Sequence, residues 1–482
     1  MASSIAKKSW FHGLLPREDV KTMLKKDGDY LLRTSEPVSG RARHLIISVL
    51  QNQDQHDGVY HYVIREDDGP KFSIVENQTF RTVIELLDNY KVNRISEKDS
   101  NSYLLNAIGR QFWELKHDDI TLTKTLGEGA FGEVKKGVLK MADGDGNVDV
   151  AVKVAKLESC TKEHIKEIMA EARLMRNFDH KNVVKCYGTA ALQEPLMVVM
   201  ELVSGGGLDS YLAKNQISID EKLDIMYQVV QGVEYIHKQE VIHRDIAARN
   251  CLYGSGIVKV SDFGLSRRGT TYQMNPKNKV PIRWLAPETL QGYIYSFPSD
   301  VFAFGILCWE VMENGLQPYP SLTVAEVHTK VTKEDYRMTI GPDTPSELTI
   351  LIRKCWLTKP DLRPSSESLV KSFSKLIRHR GTQVFQPKIR GESDEKTTPE
   401  LERSWETVPT KKNKNRMPNP LSRASRNMSC ESLDEKPGTK KFGGIRARSS
   451  CNDMLLAQKK GERKSAEKEG KKKGRREYLK SE

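Results

Sequence analysis

The alternation of apolar and polar positions divides the chain into three parts. Between residues 9 and about 106, short β-type runs alternate with two helical patterns, which predicts one small α+β domain. From 120 to about 379, a strand-rich segment gives way to long helices with a regular apolar period, as expected of a two-lobed α/β or α+β enzyme. The β-type runs of the first part lie at 30–32, 44–50 and 60–64, and its helical patterns lie at 17–25 and 82–90.

Beyond residue 386 this pattern is lost. The chain there is rich in Lys, Glu, Ser, Asn and Pro and poor in aromatic residues, so burial cannot offset the entropy cost of ordering it. We therefore predict a disordered basic tail over residues 386–482. The predicted domains are residues 10–106 and 120–379, and a linker at 107–119 joins them.

Charge and cysteine content narrow the class of protein. Residues 381–482 hold 26 basic and 15 acidic side chains, so they carry +11 of the net charge of +13 and the rest of the chain is nearly neutral. A nucleic-acid partner is therefore not expected. Seven scattered cysteines without C-x-x-C spacing argue against a disulfide framework or a zinc site, and they fit a reducing compartment.

No targeting or membrane-spanning segment is expected. The N-terminus lacks an apolar signal-peptide core and the second-position glycine that myristoylation needs. The most apolar stretch, at 301–312, has about 12 residues, whereas a helix that spans a bilayer needs about 20, so we predict a buried helix. The expected location is the cytoplasm, with the inner face of the plasma membrane as a peripheral site.

A glycine-rich run is the first sign of nucleotide chemistry. Its pattern is G-x-G-x-x-G-x-V between two strand-like segments, where glycines let backbone N–H groups approach phosphate oxygens. Glycine-rich hairpins without a ligand are commoner, so this match alone is weak. No long helix follows at once, which argues against a dinucleotide fold. The candidate nucleotide-binding residues of the run are Leu126, Gly127, Glu128, Gly129, Ala130, Phe131, Gly132, Glu133 and Val134.

A lysine and a glutamate strengthen that interpretation. Lys153 ends the run Val-Ala-Val-Lys about twenty residues after the loop, which is the arrangement that places an ammonium on the α- and β-phosphates. A lysine in an apolar strand is otherwise a solvated edge charge. At about 100° per residue, Glu171 lies on the edge of the apolar stripe of a predicted helix at 162–177. It either faces water or pairs with Lys153 as a conformational switch.

Two further motifs carry a resemblance to protein kinases. They are His-Arg-Asp-Ile-Ala-Ala-Arg-Asn at 243–250 and Asp-Phe-Gly at 262–264. The resemblance implies that Asp245 orients the substrate hydroxyl and accepts its proton, and that Asn250 and Asp262 hold magnesium or manganese beside ATP. The alternative is a silent kinase fold that serves as a scaffold, but every residue of the catalytic set is present.

The resemblance extends from residue 120 to 379 without a large gap. It implies that Arg363 pairs with Glu288, which closes the activation segment. It also places Met200 at the gatekeeper position, and it implies that the hinge backbone at Glu201 and Val203 faces adenine.

The residues around the candidate catalytic loop favour tyrosine as the acceptor. Serine/threonine kinases usually carry a lysine two residues after the catalytic aspartate, where this chain has Ala247. The sequence Ala-Ala-Arg at 247–249 instead resembles the cytoplasmic tyrosine kinases, and it implies that Arg249 approaches the phosphoryl group from the other side. Pro-Ile-Arg-Trp at 281–284 resembles their substrate platform, which accepts a long planar phenol.

The first domain resembles a Src-homology-2 (SH2) domain. The matching motifs are Trp-Phe-His-Gly at 10–13 and Gly-Asp-Tyr-Leu-Leu-Arg-Thr-Ser at 28–35. An arginine in an apolar strand is rarely tolerated as core, because an unpaired buried charge costs several kcal/mol, whereas its forked donors match a phosphate. The resemblance implies an antiparallel sheet between two helices and a phosphotyrosine pocket formed by Arg17, Arg33, Ser35 and His61.

An SH2 domain followed by a tyrosine kinase domain resembles the Fes and Fer kinases. The opening motif and the short connector Phe-Trp-Glu-Leu at 112–115 match that group. The resemblance implies two kinds of partner, phosphotyrosine-containing proteins and protein substrates with tyrosine. An adaptor whose main function is the phosphotyrosine pocket remains a further alternative.

One tyrosine suggests control of the kinase activity by phosphorylation. Tyr272 is the single tyrosine between Asp262 and Glu288, and a phosphate there would add about −1.5 to −2 charges and pair with Arg244. The alternative is an ordinary exposed loop aromatic.

In the tail, basic clusters at 411–416 and 471–476 suggest binding to an anionic membrane surface or a nuclear localisation signal. The alternative is a solvated tail. The tail's one tyrosine, Tyr478, has no assigned role.

Overall fold

The computed structural model of this chain describes residues 5–379, except for eight short gaps at 37–41, 56, 68–70, 77, 97–101, 130–131, 142–145 and 156–160. Several predictions from sequence lie outside the described residues. They are the disorder of residues 386–482, the basic clusters of that segment, Tyr478, and the glycine-loop residues Ala130 and Phe131.

The first domain is built on a four-stranded sheet. Its elements in chain order are α1 (Arg17–Met23), β1 (Asp29–Ser35), β2 (His44–Leu50), β3 (Val59–Val63), β4 (Arg65–Asp67), β5 (Lys71–Ser73), α2 (Val83–Val92) and β6 (Asn106–Ala107). The strand order is β3-β2-β1-β6, in which β1, β2 and β3 are antiparallel and the short β6 runs parallel to β1. β4 and β5 form a separate antiparallel pair.

Side chains of strand β1 alternate between two cores. Tyr30 and Leu32 belong to the core that contains Leu86 and Tyr90 of α2, whereas Leu31 belongs to the core that contains Val20 of α1. Successive side chains of a strand point to opposite faces, so this one strand supports both helices. The predicted pair of helices around a central sheet is therefore confirmed for this domain.

A five-stranded antiparallel sheet forms the first lobe of the second domain. Its elements are β7 (Ile120–Gly129), β8 (Gly132–Lys140), β9 (Asn147–Ala155), α3 (Lys162–Met175), β10 (Cys186–Ala190) and β11 (Met197–Glu201), with the strand order β10-β11-β9-β8-β7. Helix α3 begins at an N-cap in which the Thr161 hydroxyl accepts the backbone N–H of His164 at 3.3 Å. Its buried face includes the predicted stripe of Ile165, Ile168, Met169, Ala172 and Met175.

The second lobe is helical and packs around one apolar helix, α7 (Phe297–Met312), whose side chains are all buried from Ser299 onward. The stretch at 301–312 is therefore the buried helix that its apolar run predicts. Within the described residues, no helix combines the length and apolar character needed to cross a bilayer. The other helices are α4 (Leu208–Lys214), α5 (Ile219–Lys238), α6 (Pro287–Gly292), α8 (Val324–Lys333), α9 (Ser346–Cys355) and α10 (Ser366–His379).

Short strand pairs in the second lobe position its loops. They are formed by β12 (Val241–Ile242) with β15 (Arg267–Arg268), by β13 (Cys251–Gly254) with β14 (Ile257–Val260), and by β16 (Thr271–Gln273) with β17 (Ile294–Ser296). A two-lobed α+β second domain is thus present, and the predicted α+β class of the chain is confirmed.

The first domain and the linker pack directly on the first lobe. The backbone N–H of Leu14 donates to Ala191 O at 2.7 Å, and the linker residue Leu115 donates to Thr189 O at 2.9 Å. A Cβ on Gly13, which has φ 59°, would lie 2.1 Å from Ala191 O, so only glycine permits this approach. One apolar cluster contains Leu14 and Val20 of the first domain together with Ile165 of α3.

A buried histidine joins the first domain to the linker. His12 Nδ1 lies 2.6 Å from Glu114 Oε2, and His12 Nε2 lies 2.9 Å from Ile108 O. The His12 side chain is fully buried, which makes this pair part of the structural connection between the two domains.

Candidate active site and phosphotyrosine pocket

Lys153 and Glu171 meet between the sheet and helix α3. Lys153 Nζ donates to Glu171 Oε2 at 2.7 Å, which is the pairing predicted from sequence. Burial raises the pKa of the Glu171 carboxyl, and the ammonium of Lys153 opposes that rise. The pair fixes the lysine on β9 and ties it to the position of α3.

The Asp245 carboxylate is held on both oxygens. Arg249 Nη2 donates to Oδ1, and Asn250 Nδ2 donates to Oδ2 at 2.7 Å and to the Asp245 carbonyl at 2.9 Å. All three residues lie in the loop between β12 and β13, whose last turn is a 3-10 helix at Ala248–Asn250. The carboxylate thus has one defined orientation.

The strained start of this loop is supported from α7. Arg244 has φ 72°, a left-handed conformation that a long side chain rarely adopts. The carboxylate of Asp300, which is 1 % exposed, accepts the backbone N–H groups of His243 at 2.7 Å and Arg244 at 2.8 Å. His237 Nε2 lies 3.1 Å from the same carboxylate. A buried carboxylate from the core helix therefore stabilises the loop backbone.

Asp262 is tied to Asn250 through Ser261, whose backbone N–H and hydroxyl each donate to the Asn250 carbonyl at 2.9 Å. Asp262 also has a positive φ of 60°, and the next residue, Phe263, is buried against Phe178 and His243 at ring-centroid distances of 5.1 and 5.0 Å. The amide nitrogen of Asn250 is used by Asp245, and its amide oxygen has no partner among the described residues. One carboxylate and one amide oxygen are hard ligands that suit Mg²⁺ completed by phosphate oxygens and water.

The described residues of the glycine-rich run lie at the paired ends of β7 and β8. Gly127 lies opposite Val134 and Gly129 opposite Gly132 in the register. A Cβ on Gly132, with φ 148°, would lie 2.0 Å from Val154 O, whereas a Cβ on Gly127 would meet nothing within 4 Å. Gly132 therefore permits close packing on β9, and the space beside Gly127 is open.

The hinge follows β11. Glu201 lies opposite Val150 in the sheet, and its backbone N–H donates to Lys185 O at 2.9 Å. Its carboxylate pairs with Lys259 at 3.1 Å, which holds the end of the strand against the second lobe. Val203 packs at the edge of the large apolar cluster that also contains Met200.

A buried glutamate connects the Asp245 loop to the segment at 281–284. Glu310 Oε2 on α7 accepts Trp284 Nε1 at 3.0 Å and the backbone N–H of Ala248 at 3.1 Å. The guanidinium carbon of Arg249 lies 4.0 Å from the centre of a Trp284 ring. Burial raises the pKa of Glu310 to about 7, and the bonds from Trp284 and Ala248 oppose the rise.

Tyr272 lies on β16 opposite Tyr295 of β17. The guanidinium of Arg244 stacks between these two rings, 4.5 Å from Tyr272 and 4.2 Å from Tyr295, and Arg267 lies 5.5 Å from the Tyr272 ring. Arg244 Nη1 donates to Leu265 O, but its buried Nε has no hydrogen-bond partner among the described residues. Arg244, which the sequence predicts beside Tyr272, therefore contacts the unmodified ring through a cation–π interaction, and Arg267 adds a second such contact.

The segment between Asp262 and Glu288, which contains Tyr272, ends at an ion pair. Arg363 Nη1 and Nη2 donate to Glu288 Oε1 and Oε2 at 2.7 and 2.8 Å, the two-pronged geometry in which arginine matches a carboxylate. The pairing expected from the resemblance is thus present. Arg363 also donates to Pro298 O, so it joins the segment to α7.

In the first domain, Arg33 is almost fully buried, with 1 % exposure. Its Nε donates to Ser48 Oγ at 3.0 Å and its Nη1 to Leu15 O at 3.1 Å, and no carboxylate of the described residues pairs with it. Burial and the charge of Arg17 lower the pKa of Arg33 to about 10. A buried cation that is bonded only to neutral acceptors is energetically costly, and an anionic ligand would offset that cost.

The other predicted pocket residues surround Arg33 in two different ways. Arg17 and Ser35 line the same cavity as Arg33, which has a volume of about 310 Å³. His61 Nδ1 lies 2.9 Å from Ser48 Oγ, so it supports Arg33 through the serine. Burial, together with the charges of Arg33 and Arg17, lowers the pKa of His61 to about 3. The ring is therefore neutral, and its Nδ1 can accept a hydrogen bond from the Ser48 hydroxyl.

The sequence alone assigned no hydrogen-bonding role to several residues of these sites. Asp300 and Glu310 stand in an otherwise apolar helix, and a carboxylate in such a helix signals a buried hydrogen-bonding role. Asp19 of α1 is fully buried and accepts from Arg173 at 2.9 and 2.6 Å and from Arg176 at 3.3 Å. Nothing local in the sequence predicts that pairing between two domains.

Comparison with known proteins matches both parts of the chain. Residues 120–373 match the family described as protein tyrosine and serine/threonine kinase, and residues 10–90 match the SH2 domain family. Fer-related kinase 1 of Caenorhabditis elegans is 35 % identical over 377 residues, which is 77 % of this chain and 95 % of that protein.

Two other relatives match a similar span. Tyrosine-protein kinase Fer of Homo sapiens is 35 % identical over 381 residues, 78 % of this chain but 44 % of that protein. Spermatocyte protein spe-8 of Caenorhabditis elegans is 31 % identical over 373 residues, 76 % of this chain and 72 % of that protein. The chain thus spans less than half of the human relative. Its two matched domains, in this order, show that the chain belongs to the non-receptor tyrosine kinases of the Fer-related family.

Proposed function

We propose that the chain transfers the γ-phosphate of ATP to tyrosine side chains of proteins, and that Asp245 binds the acceptor hydroxyl and takes its proton. The observation that carries this proposal is the fixed orientation of that carboxylate between Arg249 and Asn250. A base that is already oriented needs no reorganisation when the hydroxyl arrives. Asp300 contributes by holding the loop backbone in place.

ATP is bound by groups of both lobes. Lys153, held by Glu171, contacts the α- and β-phosphates, the hairpin from Leu126 to Val134 covers the phosphates, and the hinge at Glu201 and Val203 binds adenine. Asn250 and Asp262 hold magnesium, which neutralises charge on the transferred phosphoryl group when it is bound. The free amide oxygen of Asn250 supports this assignment.

Tyrosine is selected by Arg249 and Trp284. Arg249 uses Nη2 for Asp245, and its buried Nη1 has no hydrogen-bond partner among the described residues. We assign that nitrogen to the transferred phosphoryl group, because a buried donor without an acceptor is costly. The indole of Trp284, stacked on Arg249, forms the platform beside the phenol of the substrate.

The SH2 domain recruits the kinase to phosphotyrosine sites. Arg33 binds the phosphate from below, Arg17 and Ser35 bind it from the cavity wall, and His61 orients Ser48. Because Asp19 of the same domain pairs with Arg173 on α3, and α3 carries Glu171, the domain also supports the Lys153–Glu171 pair. The SH2 domain thereby both recruits the kinase to phosphotyrosine sites and supports the structure of its active site.

Phosphorylation of Tyr272 completes the activation segment. The buried Nε of Arg244 lacks an acceptor, and Arg267 lies near the same ring. A phosphate on Tyr272 supplies that acceptor and exchanges two cation–π contacts for stronger charge-assisted hydrogen bonds. The SH2 domain raises the local concentration of kinase at phosphorylated partners, which favours this modification between copies.

We place the protein in the cytoplasm, with the basic segment beyond residue 386 as an electrostatic contact to anionic lipid headgroups. The free, buried cysteines Cys186, Cys251, Cys308 and Cys355 support a reducing compartment. The lipid contact rests on the concentration of positive charge in residues 381–482.

Phosphate transfer to a tyrosine peptide tests the central proposal. With magnesium and ATP, the purified chain should incorporate phosphate, and Asp245→Asn should reduce the rate by several orders of magnitude. Asp361→Asn, which changes an exposed carboxylate of the same lobe, is the matched control and should react at the normal rate. Equal incorporation by the wild type and Asp245→Asn contradicts the enzyme assignment and favours a scaffold or an adaptor.

A further inference from the structure

The cavity beside Arg33 has walls from two domains. One wall belongs to the SH2 domain and includes Arg17, Arg33 and Ser35. The other wall belongs to helix α3 of the kinase domain and consists of Lys162, Ile165 and Lys166. The phosphotyrosine pocket is therefore not enclosed by the SH2 domain alone.

The charges in this cavity do not balance. Its lining contains five cationic side chains and two carboxylates. Glu18 pairs with Lys166 at 2.6 Å and Glu36 with Arg43 at 3.6 Å, so both carboxylates are neutralised. The remaining cations, Arg17, Arg33 and Lys162, have no ion-pair partner among the described residues.

Helix α3 presents Lys162 to the cavity for a structural reason. The positions of α3 that face the SH2 domain recur at helical spacing, from Lys162 and Lys166 at one end to Arg173 near the other. Ile165 is buried in the cluster shared with the SH2 domain, and Arg173 is anchored by Asp19. The helix therefore cannot rotate Lys162 away without breaking those contacts.

We propose that Lys162 of the kinase domain is a ligand of the phosphotyrosine phosphate, so that the phosphopeptide pocket is shared between the SH2 domain and helix α3. The proposal rests on the phosphotyrosine-reading function assigned above. Three unpaired cations around one cavity suit a phosphate that carries about −1.5 to −2 charges. Lys162 is half-buried, so its attraction to that phosphate is less screened than that of a surface lysine. An SH2 domain without α3 would lack this third cation.

Calorimetric titration of the full chain with a tyrosine-phosphorylated peptide tests the shared pocket. Lys162→Gln should bind about three- to tenfold more weakly than the wild type, as expected for one charge-assisted contact of a half-exposed side chain. The difference should shrink as salt rises. Lys162→Arg should retain most of the affinity, because it keeps the charge. The matched control is Lys140→Gln, an exposed lysine at the end of β8, which should bind normally.

Arg33→Lys separates this proposal from the function on which it rests. Loss of binding in Arg33→Lys together with normal binding in Lys162→Gln overturns the shared pocket and leaves the SH2 function intact. Normal binding in Arg33→Lys overturns the phosphotyrosine function itself. The unphosphorylated peptide should not bind to any variant, and thermal melts of each variant establish that a weaker affinity does not reflect unfolding.

Discussion

Asp19 of the SH2 domain and Arg173 of helix α3 form a two-pronged ion pair across the domain boundary, with N–O distances of 2.9 and 2.6 Å. Asp19 is fully buried, and Arg176 is a second cation at 3.3 Å from the same carboxylate. Burial by itself lowers the pKa of Arg173, but the bond to Asp19 leaves that pKa raised. The helix that carries Glu171 is therefore held from the SH2 side by a charge pair.

Removing the charge of Asp19 should weaken this connection. Asp19→Asn leaves two arginines close together without their counter-charge, and we expect a loss of about 2–4 kcal/mol of unfolding free energy. Peptide phosphorylation should slow as well, because α3 is less firmly held. Chemical denaturation and peptide kinetics measure the two effects. Asp57→Asn is the control, since Asp57 pairs with Lys21 on an exposed surface and should cost under about 1 kcal/mol. Equal losses in both variants would contradict this account.

Glu310 should make stability depend on pH. Its pKa is raised from 4.5 to about 7 in the folded chain, so between these values the folded state holds a proton that the unfolded state has lost. The stabilisation from that proton is complete below about pH 4.5 and is lost as pH rises through 7, by on the order of 3 kcal/mol. Glu310→Gln keeps an acceptor for Trp284 and Ala248 but cannot ionise.

The comparison of pH 5 with pH 8 checks this prediction. By denaturant unfolding, Glu310→Gln should lose less stability between the two values than the wild type. Glu367→Gln, at an exposed position on α10, is the control and should follow the wild type closely. A Glu310→Gln protein with the same pH dependence as the wild type would show that Glu310 is ionised throughout the range.

Gly132 and Gly127 should respond differently to a methyl group. Gly132→Ala places Cβ 2.0 Å from Val154 O at a positive φ, so we expect a loss of about 1–3 kcal/mol in unfolding free energy. Gly127→Ala meets no atom within 4 Å and should leave the thermal midpoint nearly unchanged. Thermal melts of both variants without nucleotide make the test. An equal midpoint for both would mean that the hairpin does not pack on β9 as described.

Tyr272 should be the activating phosphosite. After incubation with magnesium and ATP, mass spectrometry should find Tyr272 modified. Tyr272→Phe should phosphorylate a peptide roughly fivefold more slowly than the wild type, which is the lower end of typical coupling effects. Tyr336→Phe, a partly exposed tyrosine of the same lobe, is the control and should keep its rate. Full activity of Tyr272→Phe under the same conditions would refute the switch.

Residues 387–482 should be dispensable for chemistry. Truncation after residue 386 removes most of the net positive charge, so binding to vesicles of anionic lipid at low salt should weaken while peptide phosphorylation stays the same. Vesicle sedimentation at two salt concentrations measures the first effect and peptide kinetics the second. A lower melting temperature of the kinase domain after truncation would show that this segment contributes to the fold.

The sequence by itself determined the two domains, their order and the candidate catalytic set. Lys153 lies in a short motif whose spacing suits phosphate binding, and Asp245, Asn250 and Asp262 lie in motifs that resemble those of protein kinases, so all four can be identified from the sequence alone. Glu171 could also be identified as a candidate partner of Lys153, because the helical period places it on the edge of a buried stripe. Chemistry that depends on a local motif can be read along the chain.

Only the tertiary structure decided how these parts are coupled. Asp19 and Arg173 are 154 residues apart, His12 and Glu114 are 102 apart, and each pair forms only because two distant segments of the chain pack together. Lys162 has no motif of its own, yet docking of α3 on the SH2 domain places it in the lining of the same cavity as Arg33. The physical reason is that such contacts depend on the relative placement of whole helices and domains, which no local pattern of residues encodes.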